Sequence, residues 1–140
     1  MLFNMNYWLV KSEPEAYSWD NFIDLGRDHW DGVRNYQARN FMKDMKVDDL
    51  VLFYHSGKEK QVVGIAKVVK EFYQDPTTTD ERWVVVDLVP EKKLNQPVTL
   101  QQIKADERLQ NVYLIRQSRL SVMPLKPEEF DIIIGMGEEG

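Results

Sequence analysis

One stretch of eleven residues, 30–40, concentrates side chains that could bind a nucleobase. Its sequence, Trp-Asp-Gly-Val-Arg-Asn-Tyr-Gln-Ala-Arg-Asn, has little apolar periodicity, so core packing does not explain it. Trp30 and Tyr36 offer flat faces on which a base could stack, and Gly32 permits a turn that most residues resist. Planar groups of the kind that read base edges and phosphates come from Arg34, Asn35, Gln37, Arg39 and Asn40. A polar loop that enters a helix, with Trp30 as a core anchor, explains the same composition equally well.

A second group of polar residues, Lys11, Ser12 and Glu13, follows the aromatic and β-branched run 7–10, which predicts a strand. Pro14 ends this strand and biases Glu13 toward an extended conformation. Side chains two residues apart on a strand point to the same side, so we expect Lys11 and Glu13 to lie together at the strand's end. A surface ion pair of little energetic value is the alternative.

The composition excludes several kinds of site. The 140 residues include no cysteine, which removes disulfides, thiolate catalysis and Cys-ligated zinc. His29 and His55 are the only imidazoles, so we expect no metal site and no cofactor. No apolar run is long enough to span a bilayer, and residues 1–7 lack the pattern of a secretory signal. We therefore expect a cytoplasmic protein that does not bind membranes.

The net charge of -5 argues against a strong non-specific DNA binder, but the charge is unevenly distributed. Residues 127–140 hold five acids and no base, which accounts for the whole excess. Four basic residues fall within 34–46 and four more within 108–126. Together these two segments suggest a local surface that faces an anion, although either one alone is consistent with an ordinary solvated face.

Apolar periodicity predicts five strands, at residues 7–10, 50–54, 61–70, 83–89 and 121–124. Gly64 indicates a bulge or the close approach of another group. Trp19, Phe53 and Trp83 are expected in the core, because each lies in an apolar pattern away from the polar motifs.

The helices are predicted from caps and spacing. Ser18 is expected to cap a helix that Gly26 ends, and a second helix runs from Gln37 or Arg39 to Met45. Thr99 caps a third helix, a helical turn follows within 106–112, and the last helix covers 127–134. The order predicts one α+β domain around a mostly antiparallel, curled sheet or open barrel.

Four motifs, in this order, resemble those of the EVE domain family. They are Tyr-Trp-Leu-Val-Lys-Ser-Glu-Pro at 7–14, the stretch at 30–40, Asp-Leu-Val-Leu-Phe-Tyr-His-Ser at 49–56, and Arg-Gln-Ser-Arg-Leu-Ser-Val at 116–122. The resemblance covers nearly the whole chain, from about Asn6 to Ile134. It implies a PUA-like β-barrel related to the YTH domain, which captures a methylated adenine of RNA in an aromatic cage. It also implies that the chain binds modified bases in nucleic acid.

The resemblance also implies roles for particular residues. Trp30 is similar to the cage tryptophan of YTH domains, and Ser12 and Glu13 occupy the position that hydrogen-bonds the captured base. Tyr54 and His55, in the family's Phe-Tyr-His motif, are expected to line the same pocket. Phe72 and Tyr73 are the candidates for the other walls, by position only. Residues that match family motifs without an assigned role are Arg34, Asn35, Gln37, Arg39, Arg116, Gln117, Ser118 and Arg119. The sequence does not show the basic N-terminal extension of nuclear members, so a nuclear role is not expected from it.

The favoured function is therefore a binding module for a nucleic acid or nucleotide that carries a modified base. The alternative is a hydrolase of modified nucleosides, similar to the PUA-like ASCH family, with Lys11 and Glu13 as catalytic groups. The sequence has no second carboxylate and no Ser–His pair at a spacing typical of a catalytic site, which favours the binding module over the hydrolase. An interaction or structural role is the third possibility. We expect Trp30→Ala to leave the protein folded. DNA, RNA and free nucleotide remain open as ligands, as does the oligomeric state.

Overall fold

Six strands form the sheet at the centre of the fold. In this computed structural model, which describes residues 5–138, they are β1 (Tyr7–Ser12), β2 (Asp28–His29), β3 (Leu50–His55), β4 (Gln61–Gln74), β5 (Val84–Thr99) and β6 (Val122–Leu125). Their order in the sheet is β2-β5-β4-β3-β1-β6. Only β1 and β3 run parallel, and the other described pairs are antiparallel. The prediction of a mostly antiparallel α+β fold is confirmed.

Within the described range, five helices flank the sheet: α1 (Trp19–Leu25), α2 (Tyr36–Asp44), α3 (Leu100–Ala105), α4 (Tyr113–Arg116) and α5 (Pro127–Glu138), with a 3-10 turn at Glu107–Leu109. The predicted cap of α1 is confirmed, since the Ser18 side chain accepts a hydrogen bond from the backbone N–H of Asn21. Gly26 ends α1 with a φ of 76°, a left-handed conformation that suits glycine. The Thr99 cap of α3 is likewise confirmed.

The hairpin of β4 and β5 is longer than predicted. The strands contain 14 and 16 residues, and the added parts, 71–74 and 90–99, are rich in charged and polar residues. These added parts lack the alternation of apolar and polar residues by which a strand is predicted. Backbone hydrogen bonds between two strands form without that alternation, so the predicted strands end too early. The register shifts at four places along the hairpin, and such bulges bend strands and increase their twist.

The core confirms two of the three expected aromatic anchors. Phe53 is fully buried, and the ring of Trp19 covers Gly64 so closely that a Cβ there would lie 2.6 Å from it. Both predictions for Gly64 are confirmed, because the register of β4 also shifts beside it. Trp83 is buried but lies outside the main core, where the ring of Tyr36 covers it with centroids 5.2 Å apart. It precedes β5 instead of beginning it.

Some expectations concern residues that the structure does not describe. The N-terminal pattern includes residues 1–4, and the acidic C-terminal segment includes residues 139–140, all outside the described range. Among residues 5–138, no helix has the length and apolar character needed to cross a membrane. Within the same residues, no three acidic or histidine side chains are grouped so that they could hold a metal ion.

Candidate nucleic-acid interface

A pocket of about 350 Å³ opens where β1 ends. This volume lies at the lower end of the range for small-molecule sites. The structure brings together there two of the segments that the sequence indicated, 11–13 and 30–33, which belong to distant parts of the chain. The pocket is lined by Lys11, Ser12, Glu13, Tyr17, Asp28, His29, Trp30, Asp31, Gly32, Val33 and Ser121. We call this the β1 pocket.

Trp30 is both a wall of the β1 pocket and part of the core. Its backbone N–H donates to the Val86 carbonyl over 2.8 Å, which fixes the residue just after β2. Its ring meets Tyr17, Phe22 and Phe53 edge-on, with centroids 6.0, 6.5 and 5.5 Å away. Only 8% of the residue is exposed. Trp30→Ala would therefore remove core packing, which contradicts the premise on which that variant is expected to stay folded.

Tyr17 is a pocket residue that sequence reasoning missed. Its hydroxyl oxygen is buried and makes no hydrogen bond of good geometry among residues 5–138, and the Asp28 carboxylate is close enough to interact with it. Burial raises the pKa of Tyr17, and the carboxylates of Asp28 and Asp31 act in the same direction. The phenol thus remains a proton donor at neutral pH. A buried phenol in a pocket is a donor that a ligand's hydrogen-bond acceptor can engage.

A turn after β1 holds Tyr17 in place. The Glu13 carbonyl accepts from the backbone N–H of Tyr17 over 2.8 Å, and the Ser12 hydroxyl donates to the Tyr17 carbonyl. Ser12 therefore helps to position Tyr17, and its hydroxyl proton is already engaged. The signal in the sequence is an aromatic residue between Pro14, which ends the strand, and Ser18, which caps α1.

The polar rim of the β1 pocket is mainly acidic. Glu13, Asp28 and Asp31 contribute carboxylates, and His29 lies with its Nε2 3.6 Å from the Asp31 carboxylate. Lys11 is the one lysine or arginine in the lining, and burial lowers its pKa. Carboxylates accept hydrogen bonds from amino groups, so this rim suits a ligand edge that carries donors and disfavours a phosphate inside the pocket.

A groove lined by the last motif lies next to the β1 pocket. Leu120 borders the groove and Ser121 the pocket, and Lys11 Nζ donates to the Ser118 carbonyl over 2.7 Å. Within residues 5–138, neither Arg116 nor Arg119 forms an ion pair with a carboxylate. The residues that line this arginine groove are Asn35, Gln37, Arg116, Gln117, Ser118, Arg119 and Leu120.

Tyr54 and His55 do not line the β1 pocket, so that expectation is wrong. Both are buried in β3. The Nε2 atom of His55 accepts from the Trp19 backbone N–H over 3.0 Å, which leaves Nδ1 to donate to Glu59 over 2.9 Å. Burial raises the pKa of Tyr54 to about 12. These two residues support the core and the start of α1.

Phe72 and Tyr73, the positional candidates for further walls, also lie outside the β1 pocket. Phe72 is 46% exposed on β4, and the Tyr73 hydroxyl donates to the buried Asp87. Tyr17, not Phe72 or Tyr73, is the second aromatic residue of the pocket lining. The sequence predicts that Phe72 and Tyr73 follow the strand, but β4 extends to Gln74 and includes both of them. Their position in the sequence therefore does not place them at the pocket.

Arg34 is engaged within the protein. Its Nη1 donates over 2.9 Å to Asp75, whose side chain is fully buried. Asp75 also accepts from Gly32 N and from the backbone and hydroxyl of Thr77. Burial alone would raise the pKa of Asp75, but these hydrogen bonds outweigh burial and lower it to about 2. Arg34 thus anchors the turn at Gly32, next to the β1 pocket.

The sheet order and the pocket at the end of β1 define a PUA-like domain. The EVE domain family model matches residues 6–136, and the chain belongs to this family. Thymocyte nuclear protein 1 of Mus musculus is 35% identical over 167 residues, which cover 95% of this chain and 74% of the mouse protein. The family resemblance of the four motifs is thereby confirmed.

Solved structures agree with this assignment. An Agrobacterium tumefaciens protein superposes with a TM-score of 0.93 at 42% identity, over 94% of this chain and 92% of its own. The human thymocyte nuclear protein 1, solved in complex with 5-methylcytosine-containing DNA, superposes with a TM-score of 0.91 at 32% identity. That match covers 97% of this chain and 99% of the human one.

Proposed function

We propose that this chain binds DNA and holds a modified cytosine in the β1 pocket. The observation that carries the proposal is the position of the pocket, which has aromatic walls and an acidic rim and adjoins the arginine groove. The similar human protein, solved with 5-methylcytosine-containing DNA, supports DNA as the polymer and methylated cytosine as the base.

The chemistry of the β1 pocket fits the edge of cytosine. Cytosine presents an exocyclic amino group, which donates hydrogen bonds that a carboxylate can accept. Glu13, Asp28 and Asp31 supply such carboxylates. The Tyr17 hydroxyl can donate to an acceptor on the same base. A methyl group makes apolar contacts, for which Trp30 and Val33 offer surface. Stacking on an aromatic side chain contributes about 1–3 kcal/mol per base.

The arginine groove complements the β1 pocket in charge. Phosphates are repelled by the acidic rim and attracted by Arg116 and Arg119, so the backbone would lie over the groove while the base enters the pocket. Removal of a base from a duplex costs a few kcal/mol, and less from a mismatch or a single strand. We therefore expect single-stranded or mismatched sites to bind more tightly than fully paired ones.

The hydrolase alternative has less support. Lys11 Nζ already donates to the Ser118 carbonyl, so its amine links two parts of the site instead of facing a substrate alone. A hydrolase would need the Lys11 amine and the Glu13 carboxylate to be within hydrogen-bond reach of the same reacting atom. The hydrogen bond from Lys11 to Ser118 does not favour that arrangement.

The test is a set of titrations with DNA oligonucleotides that differ only in one central base. Cytosine, 5-methylcytosine and thymine separate the methyl group from the amino group, and an RNA version separates the polymers. We expect 5-methylcytosine to bind best and thymine worst, and Glu13→Gln to narrow that difference. Glu107→Gln, an exposed acid outside the site, is the control. Equal affinity for the three bases would overturn the proposal, and released base or nucleoside, seen by mass spectrometry, would establish the hydrolase.

A further inference from the structure

An aromatic surface stands beside the arginine groove and belongs to neither the groove nor the β1 pocket. Tyr36, the first residue of α2, is 51% exposed, although aromatic residues are usually covered. Its ring packs on Trp83 with a centroid distance of 5.2 Å and an angle of 31°. Its neighbours Asn35 and Gln37 both line the arginine groove.

Guanidinium groups surround this aromatic pair. The Arg39 Cζ lies over the Tyr36 ring, 5.0 Å from its centroid, and Arg82 Nη1 donates to the Tyr36 hydroxyl over 2.8 Å. Arg34 and Arg82 lie over Trp83 at 5.6 and 5.7 Å. The orientation of Tyr36 is thus held by packing and by a hydrogen bond, which reduces the entropy that binding would cost.

The charge of this surface is only partly neutralised. Asp75 pairs with Arg34 and Asp80 pairs with Arg82. Arg39 makes hydrogen bonds to Asn40 and to the Arg82 carbonyl, and within residues 5–138 it pairs with no carboxylate. If Tyr36 served only to cover Trp83, its presence would be explained. That role would not explain why Tyr36 is half exposed next to Arg39, whose charge no carboxylate within residues 5–138 neutralises.

We propose that Tyr36 and Arg39 form a second subsite, which stacks a nucleotide next to the captured base. This inference rests on the proposed function and adds a contact outside the β1 pocket. Aromatic rings and guanidinium planes both stack bases, with little dependence on base identity. Val33 lines the pocket and Tyr36 follows three residues later, so the two lie at most about 11 Å apart along the backbone. A DNA strand whose captured base lies in the β1 pocket, and whose backbone follows the arginine groove, can therefore reach Tyr36.

The experiment uses DNA oligonucleotides with one central 5-methylcytosine and an abasic nucleotide placed in turn at each flanking position. If Tyr36 stacks a flanking base, one of the two abasic positions should lower the affinity of the wild-type protein by roughly 5- to 100-fold. Tyr36→Ala should lower the affinity for the intact oligonucleotide by a similar factor. In that variant the abasic position should have no further effect.

Two further variants separate stacking from folding. Tyr36→Leu keeps an apolar cover over Trp83 but removes the aromatic face, so it should bind as weakly as Tyr36→Ala. Phe72→Ala removes another half-exposed aromatic ring, which lies under Lys43 at 5.7 Å, and should bind like the wild type. Free 5-methylcytidine should bind equally to the wild type and to both Tyr36 variants.

The outcomes distinguish the two proposals. If methylated oligonucleotides bind to the Tyr36 variants as tightly as to the wild type, the second subsite is refuted. The proposal that the β1 pocket holds the modified base is then unaffected. If the Tyr36 variants also lose the free nucleoside, the ring supports the pocket structurally and the subsite is again refuted. If the wild-type protein binds no methylated oligonucleotide, both proposals fail.

Discussion

Lys11 and Ser118 join two sides of the site across 107 residues of sequence. The Nζ atom of Lys11, at the end of β1, donates over 2.7 Å to the backbone carbonyl of Ser118 in the loop after α4. Arg116 ends α4 and Arg119 lies in the same loop as Ser118, and β1 contributes Lys11 and Ser12 to the lining of the β1 pocket. Together with the hydrogen bond that the Lys11 backbone N–H donates to the Ser121 carbonyl over 3.0 Å, the bond from Lys11 Nζ to Ser118 holds the groove beside the pocket.

Lys11→Met should weaken the binding of oligonucleotides more than that of free nucleosides. The side chain keeps its length, but the loop loses its side-chain link to β1 while the backbone hydrogen bond from Lys11 to Ser121 remains, so the arginines are held less firmly beside the pocket. We expect a stability loss of about 1 kcal/mol, typical of one hydrogen bond. The measurements are titrations with both ligands and thermal denaturation. Lys58→Met, in the exposed β3–β4 loop, is the control, and an equal loss for both ligands would contradict the prediction.

Trp30→Ala should destabilise the protein by roughly 3–5 kcal/mol, as large-to-small changes of aromatic core residues do. Trp30→Phe keeps part of the packing and reduces the stacking face, so it should weaken all cytosine-containing oligonucleotides by a similar factor. Trp19→Phe is the matched control, because Trp19 is equally buried but does not line the β1 pocket. It should lower the melting temperature without a change in affinity. Normal binding by a folded Trp30→Leu variant, which keeps an apolar side chain without an aromatic face, would exclude Trp30 as a stacking wall.

Arg116→Ala and Arg119→Ala should each reduce the dependence of oligonucleotide affinity on salt. Each phosphate contact contributes about one unit to the slope of log affinity against log salt concentration. Arg108→Ala is the control, since Arg108 pairs with Asp106 over 2.7 Å. Binding of a free nucleoside should show no such slope. If both variants keep the wild-type slope, the two arginines contact no phosphate.

Asp75 should make the protein sensitive to acid. Its pKa is about 2 in the folded state, because hydrogen bonds outweigh burial, and near 4 in an unfolded chain. A pKa lowered by folding stabilises the protein above about pH 4, and this contribution disappears as the pH falls toward about 2. Its size is roughly 2–3 kcal/mol.

Urea denaturation between pH 5 and pH 2 measures this contribution. Asp75→Asn should be less stable than the wild type at pH 5, and the difference should shrink as the pH falls. The exposed Asp44→Asn should keep the wild-type pH profile. A constant difference between Asp75→Asn and the wild type would show that the carboxylate charge of Asp75 plays no part.

Gly64→Ala should destabilise the protein because the new methyl group would lie 2.6 Å from the Trp19 ring. Forcing an extra carbon into a packed core costs about 1–3 kcal/mol. Gly135→Ala is the opposite case, since a Cβ there meets nothing within 4 Å in α5, and it should gain about 0.5–1 kcal/mol. Chemical denaturation of both variants checks the prediction, which a stable Gly64→Ala would contradict.

Features that depend on local patterns can be predicted from the amino-acid sequence without a structure. The first strand and its end just before Pro14 follow from an aromatic run and from that proline. The limits of α1 follow from Ser18 and Gly26. The stretch 30–40 was recognisable because its polar residues have no role in an apolar pattern. The four motifs in order identified the family, since motif order along the chain needs no knowledge of contacts.

Which side chains face the β1 pocket depends on contacts between distant parts of the chain. His55 lies directly opposite Ser12 in the register of β1 and β3, yet its ring turns to Trp19 and Glu59. Tyr17 joins the pocket because a turn folds it back onto β1, and Arg34 is engaged because Asp75, 41 residues away, is buried beside it. Such outcomes depend on strand register, on bulges and on pairing between distant residues, and none of these leaves a periodic pattern in the sequence.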